Sequence, residues 1–191
     1  MNIIPQSIKD ILLLEPKVYN DERGFFLETQ RSNIHEKNGI PSLIQHNQSR
    51  SKMGVLRGLH YQSNKPQGKL VRCSYGKIFD VAVDIRKDSS HFGEWVGSIL
   101  DDQMHKQLWI PEGFAHGFLV ISEIADVCYS CSNYYSPESE IGIAWDDSDI
   151  AINWPNLPEG YLPIISSKDS NNLKLKDHKE ESLPSLTSLS T

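Results

Sequence analysis

The sequence predicts an all-β protein, a sandwich or closed barrel of short strands. Three observations predict it. Gly, Pro, Asn and Asp recur at short intervals, and the stretches between them have the length of strands. Residues 78–85 alternate with period two, with Phe79, Val81, Val83 and Ile85 on one face and Asp80 and Asp84 on the other. The pattern contains no helices of the kind that cross between parallel strands, which argues against an α/β fold. A jelly roll belongs to the predicted class, and its closed or double-sheet form gives a lumen into which alternate side chains point.

In chain order, strands are expected at residues 25–30, 55–62, 69–75, 78–85, 95–100, 107–110, 117–121, 127–133 and 141–144. Gly76 fits a tight turn that joins 69–75 to 78–85 as a hairpin. One short helix is expected at residues 33–37, with Ser32 as its cap. There are no internal repeats and no heptads. After Asp169 the composition turns rich in Ser, Lys and Glu and poor in aromatics. Residues 1–169 therefore read as one domain and 170–191 as a polar, mobile tail without chemistry.

The length, 191 residues, suits a single domain with a good core. A formal charge of -6 and the lack of a basic arm argue against a nucleic-acid partner. No stretch is apolar for long enough to span a bilayer. The N-terminus lacks the basic-then-apolar order of a signal peptide. Three cysteines do not suggest a disulfide framework. Cys128 and Cys131 lie in a strand-like stretch, where residues three apart point to opposite faces, so strand packing outweighs a zinc or redox pair. These features imply a reducing, cytoplasmic location.

Polar side chains interrupt the strand patterns at Arg57, His60, Lys69 and His116. Tyr129 shares parity with Ala125 and Val127, which points it inward. Each has a plain structural reading. A single histidine among apolar neighbours is more often a satisfied core residue, Lys69 can open a strand in water, and Tyr129 can be core. Together, one His, one Tyr and one Lys are the parts needed to abstract a proton, return it, and stabilise an enolate. Metal sites in such barrels usually take two histidines one residue apart on one strand. Here Tyr61 and Gln62 follow His60, so no metal is expected. No dinucleotide or phosphate-loop glycine pattern occurs, and no cofactor is expected.

The order of several segments is similar to the dTDP-4-dehydrorhamnose 3,5-epimerase family. They are Asp21-Glu22-Arg23-Gly24-Phe25-Phe26-Leu27-Glu28, Gln45-His46-Asn47-Gln48-Ser49, and Gly54-Val55-Leu56-Arg57-Gly58-Leu59-His60-Tyr61-Gln62. Then follow Gln67-Gly68-Lys69-Leu70-Val71-Arg72, Trp109-Ile110-Pro111-Glu112-Gly113-Phe114-Ala115-His116-Gly117-Phe118 and Ser167-Lys168-Asp169. The resemblance implies a cupin-like double-stranded β-helix, a cofactor-independent 3,5-epimerase and a nucleotide-sugar substrate. By the same resemblance His60 is the general base, Asp169 orients it, Tyr129 is the general acid, and Lys69 stabilises the enolate. His116 lies beside the sugar. Arg23, Glu28, Gln45, Asn47, Arg57, Glu140 and Lys168 match substrate-binding positions, and Tyr135 matches an aromatic that stacks on the base. A homodimer is implied in which an N-terminal strand crosses to the partner, bringing Arg23 and Glu28 to the neighbour's site. His46 departs from the family, which usually has Asp there, and is expected to alter hydrogen bonds near the nucleotide. The competing readings are a mono-epimerase, a 3,4-ketoisomerase and a non-catalytic sugar-nucleotide-binding cupin.

Overall fold

The computed structural model describes residues 1–189. Among the described residues, thirteen strands and one short α-helix build two antiparallel sheets and a separate hairpin. In chain order the strands are β1 (Asn2–Pro5), β2 (Leu12–Glu15), β3 (Val18–Asp21), β4 (Gly24–Leu27), β5 (Gln45–Lys52), β6 (Leu56–Gln62), β7 (Lys69–Tyr75) and β8 (Lys77–Asp84). They continue with β9 (Trp95–Asp101), β10 (Gln107–Ile110), β11 (Phe114–Val120), β12 (Ile124–Cys131) and β13 (Glu140–Gly142). The six-stranded sheet runs β1-β2-β10-β7-β12-β5 and the five-stranded sheet β13-β6-β11-β8-β9, while β3 and β4 pair only with each other. This is the expected all-β jelly roll.

Three apolar clusters explain why the layers hold. Between the sheets, Val71, Leu108, Ile110 and Val127 of the first meet Ile78, Ala82, Val96, Phe114 and Phe118 of the second. Behind the five-stranded sheet, Leu59, Val81, Val83 and Ile85 are covered by Ile150, Leu175 and Trp154. Behind the six-stranded sheet, Leu14, Leu70 and Trp109 are covered by Ile40 and Leu43. Each fully buried aliphatic side chain contributes on the order of 1.5–3 kcal/mol.

The structure corrects three local expectations. Residues 69–75 and 78–85 are not a hairpin, because β7 pairs with β10 and β12 while β8 pairs with β9 and β11. Gly76 (φ +78°) is the corner where the chain passes from one sheet to the other, and a Cβ there would lie 2.0 Å from the Ile124 carbonyl oxygen. Asp80 and Asp84, on the face of β8 opposite Phe79 and Val81, are both fully buried, because β8 is enclosed on both faces. The helix α1 (Ser32–Lys37) is capped at Arg31 with no side-chain bond, so Ser32 is not its cap; the Arg31 carbonyl accepts from the N–H groups of Ile34 and His35. Finally, the segment after Asp169 packs on the body. Leu175 is buried, the Tyr61 hydroxyl donates to the Ser182 carbonyl, and Lys87 N–H donates to the Pro184 carbonyl. A few leucines anchor a segment that composition alone marks as solvated. Residues 190 and 191 of the expected tail lie outside the described residues.

Candidate active site

The central strands of the two sheets face each other across a cavity of about 630 Å³ at one end of the sandwich. That size suits a small-molecule ligand. One wall comes from β6 and β11, where His60 and His116 are direct cross-strand neighbours. The opposite wall comes from β7, β12 and β5, which contribute Lys69, Tyr129, Gln45, Asn47 and Ser49. An irregular segment closes one side with Ile164, Ile165, Ser166, Lys168 and Asp169, held to β6 by bonds from Leu56 N–H to the Ile164 carbonyl and from Ile164 N–H to the Gly54 carbonyl.

His60 Nε2 lies 2.6 Å from Asp169 Oδ1. Burial alone would raise the Asp169 carboxyl, but the hydrogen bond and charge of His60, with a bond from Gly58, hold it below the ordinary aspartate range. Because Asp169 occupies Nε2, the Nδ1 of His60 is the nitrogen left to a ligand. His116 is bonded in the same way, with Nε2 2.9 Å from Asp80 Oδ2.

Lys69 opens β7 inside the cavity. Burial lowers its ammonium from the ordinary lysine value, while Cys131, Glu140 and Asp80 act in the opposite sense. Burial raises the Tyr129 hydroxyl, so that at neutral pH it carries its proton. At the mouth, Glu140 accepts from the Tyr135 hydroxyl at 3.1 Å and pairs with Lys168. Arg57 donates through Nε and Nη2 to Ser51 Oγ, at 3.2 Å each. Gln45 receives the Tyr135 backbone N–H at 2.8 Å and donates to Asn47.

The fold thus gathers His60, Tyr129, Lys69, Asp169, Gln45, Asn47, Arg57, His116, Tyr135, Glu140 and Lys168 around one cavity. It does not bring Arg23 or Glu28 there. Arg23 pairs with Asp21 at the tip of the β3–β4 hairpin, and Glu28 pairs with Arg31, both at exposed positions. His46 is turned the other way. It sits on the outer face of β5 and meets Ser130 Oγ at 2.7 Å, so its substitution leaves the cavity lining unchanged.

Sequence reasoning assigned no role to Ser49, Gln67, Ser166 or Asp80. Gln67 lies within a matched segment and is held by a bond to the Asn133 carbonyl. Ser49 and Ser166 had no signal beyond strand parity and a position two residues before Lys168. Among the described residues, no three His, Cys, Asp or Glu side chains converge as metal ligands.

A family profile described as dTDP-4-dehydrorhamnose 3,5-epimerase matches residues 5–177. The dTDP-4-dehydrorhamnose 3,5-epimerase of Escherichia coli K12 is 54% identical over 172 residues, covering 88% of this chain and 91% of that protein. The protein of the same name from Salmonella typhimurium is 51% identical over 173 residues, covering 89% and 93%. Among solved structures, the dTDP-6-deoxy-D-glucose-3,5-epimerase of Legionella pneumophila in complex with dTDP-4-keto-L-rhamnose superposes with a TM-score of 0.93 at 49% identity, covering 96% of this chain and 97% of that one.

Proposed function

The chain belongs to the dTDP-4-dehydrorhamnose 3,5-epimerase family, and on that premise we propose that it inverts C5 and C3 of dTDP-4-dehydro-6-deoxy-D-glucose to give dTDP-4-dehydro-L-rhamnose. The observation that carries the reading is the placement of His60 and Tyr129 on opposite walls of one cavity, with half-buried Lys69 beside them on β7, the strand between β12 and β10.

A C–H beside a ketone is a weak acid, and its removal leaves negative charge on the ketone oxygen. His60 Nδ1 takes the proton, while Asp169 fixes the ring and stabilises the imidazolium. Lys69 stabilises the enolate oxygen at C4, an interaction strengthened where water is excluded. Inversion requires a proton delivered to the other face. Tyr129, kept protonated by burial, is the acid that supplies it. The sequence is repeated at the second carbon once the ring presents it.

Remote binding holds the sugar in place. Arg57 is positioned for phosphate oxygens, with Gln45, Asn47, His116, Glu140 and Lys168 for further polar contacts and Tyr135 for the base. Arg23 and Glu28 complete the site from a second copy. In a homodimer with strand exchange the β3–β4 hairpin crosses to the partner, which accounts for its exposed Tyr19, Phe25 and Phe26 (54%, 59% and 70% exposed). We place the protein in the cytoplasm, a reducing compartment that suits three free cysteines. No helix among the described residues is long and apolar enough to cross a membrane.

The test is incubation with dTDP-4-keto-6-deoxyglucose in deuterium oxide, read by NMR. Deuterium is expected at both C3 and C5. Label at one carbon would make the enzyme a mono-epimerase, and no label would remove the enzymatic reading for this substrate.

A further inference from the structure

Asp80 has no part in the reaction as described, yet its environment is unusual. It stands on β8 in the same parity as Ile78 and Ala82, which face the space between the sheets. It is fully buried, at 0% exposure. Oδ2 meets His116 Nε2 at 2.9 Å, while Oδ1 is buried without a hydrogen-bond partner. An unsatisfied carboxylate oxygen in an apolar interior is costly. A fold that keeps one needs a reason for it.

One cavity group meets this carboxylate: His116 approaches from β11 and lines the cavity. We propose that Asp80 is a positioning residue for the epimerisation: it holds the His116 ring with Nε2 turned inward and Nδ1 toward the sugar. This rests on the epimerase reading of the cavity.

The assignment follows from imidazole geometry. A partner fixed at one ring nitrogen decides what the other can offer. His60 and His116 are register partners, so two histidine–aspartate pairs stand side by side on one wall, each presenting Nδ1.

The experiment compares the full-length protein with Asp80→Asn, which keeps the size and an acceptor oxygen but removes the charge. The expected result is a KM within about threefold of wild type and a kcat lower by about 10- to 100-fold, the scale seen when a partner behind a site histidine is lost. A variant with wild-type kcat overturns the proposal, as does a rise confined to KM, the pattern expected of a residue that does not orient a group at the sugar. If Asp80→Asn does not fold, nitrogen-15 NMR of the wild-type protein decides instead, with the His116 signals assigned by their absence from His116→Asn. A proton on Nε2 is expected, and a ring protonated on Nδ1 alone overturns the proposal. Wild-type protein that leaves dTDP-4-keto-6-deoxyglucose unchanged sinks the epimerase reading separately, and the ring-nitrogen measurement still decides whether Asp80 holds His116.

Discussion

At the scale of single residues, the chemistry depends on how His60 is held. Asp169 binds one ring nitrogen at 2.6 Å and leaves the other to the cavity. Replacing His60 by Asn keeps a polar side chain of similar reach, so the fold should persist. Removing a general base usually costs about 10²- to 10⁴-fold in rate. Hydrogen–deuterium exchange into the substrate should fall by that factor, and exchange at the wild-type rate would mean that another group is the base. Asp169 also links the pair to stability. Its folded pKa is depressed below the unfolded value. Its contribution is therefore fully present above the unfolded aspartate value of about 3.9 and is lost as pH falls through the folded one. Asp169→Asn should be less stable than wild type at pH 7, and the gap in denaturant midpoint should narrow by pH 3; a gap that does not change with pH would contradict the linkage. His60, Lys69 and Tyr129 were legible because each breaks or joins a strand parity. Asp169 was legible only by resemblance, since an irregular segment delivers it 109 positions away in sequence. Asp80 was given a face but no role, because alternation cannot distinguish water from a polar lumen.

Elements were legible where their faces differ in polarity. The strand β8 announced itself, but β5 did not, since Gln45, Asn47, Ser49 and Ser51 line its inner face and no apolar period exists. The β7–β8 corner was misread because a glycine with positive φ serves a change of sheet as well as a hairpin. One glycine makes a sharper demand. A Cβ on Gly68 would lie 2.4 Å from Cη2 of Trp109, whose ring is 3% exposed and packed against Leu14 and Leu70. The ring has little room to retreat. Gly68→Ala should destabilise the protein by about 1–3 kcal/mol, as overpacking does, which lowers the melting temperature by roughly 2–4 °C per kcal/mol in a chain of this size. Because Gly68 adjoins Lys69, the same variant should also lose kcat. An unchanged melting temperature would show that Trp109 relaxes freely.

For the whole molecule, the question is where one active site ends. Within one chain the cavity gathers the residues proposed for proton transfer but not Arg23 or Glu28. The hairpin that carries Arg23 packs through Phe25 against His105 and otherwise exposes its aromatic side chains. If it completes a neighbour's site, function should be recoverable from two defective chains. Arg23→Ala damages the arm and leaves the home cavity whole, whereas His60→Asn does the reverse. Each alone should be far below wild type. After unfolding and refolding together in equal amounts, random pairing makes half the dimers mixed, and each mixed dimer holds one intact site. Activity per chain should then return to about a quarter of wild type. Arms that serve their own chain give no recovery, because every site then carries one of the two lesions. Size-exclusion chromatography with light scattering supplies the companion measurement, in which twice the 21.7 kDa chain mass is expected. A monomer that turns over substrate at full rate would overturn completion of the site by a second copy.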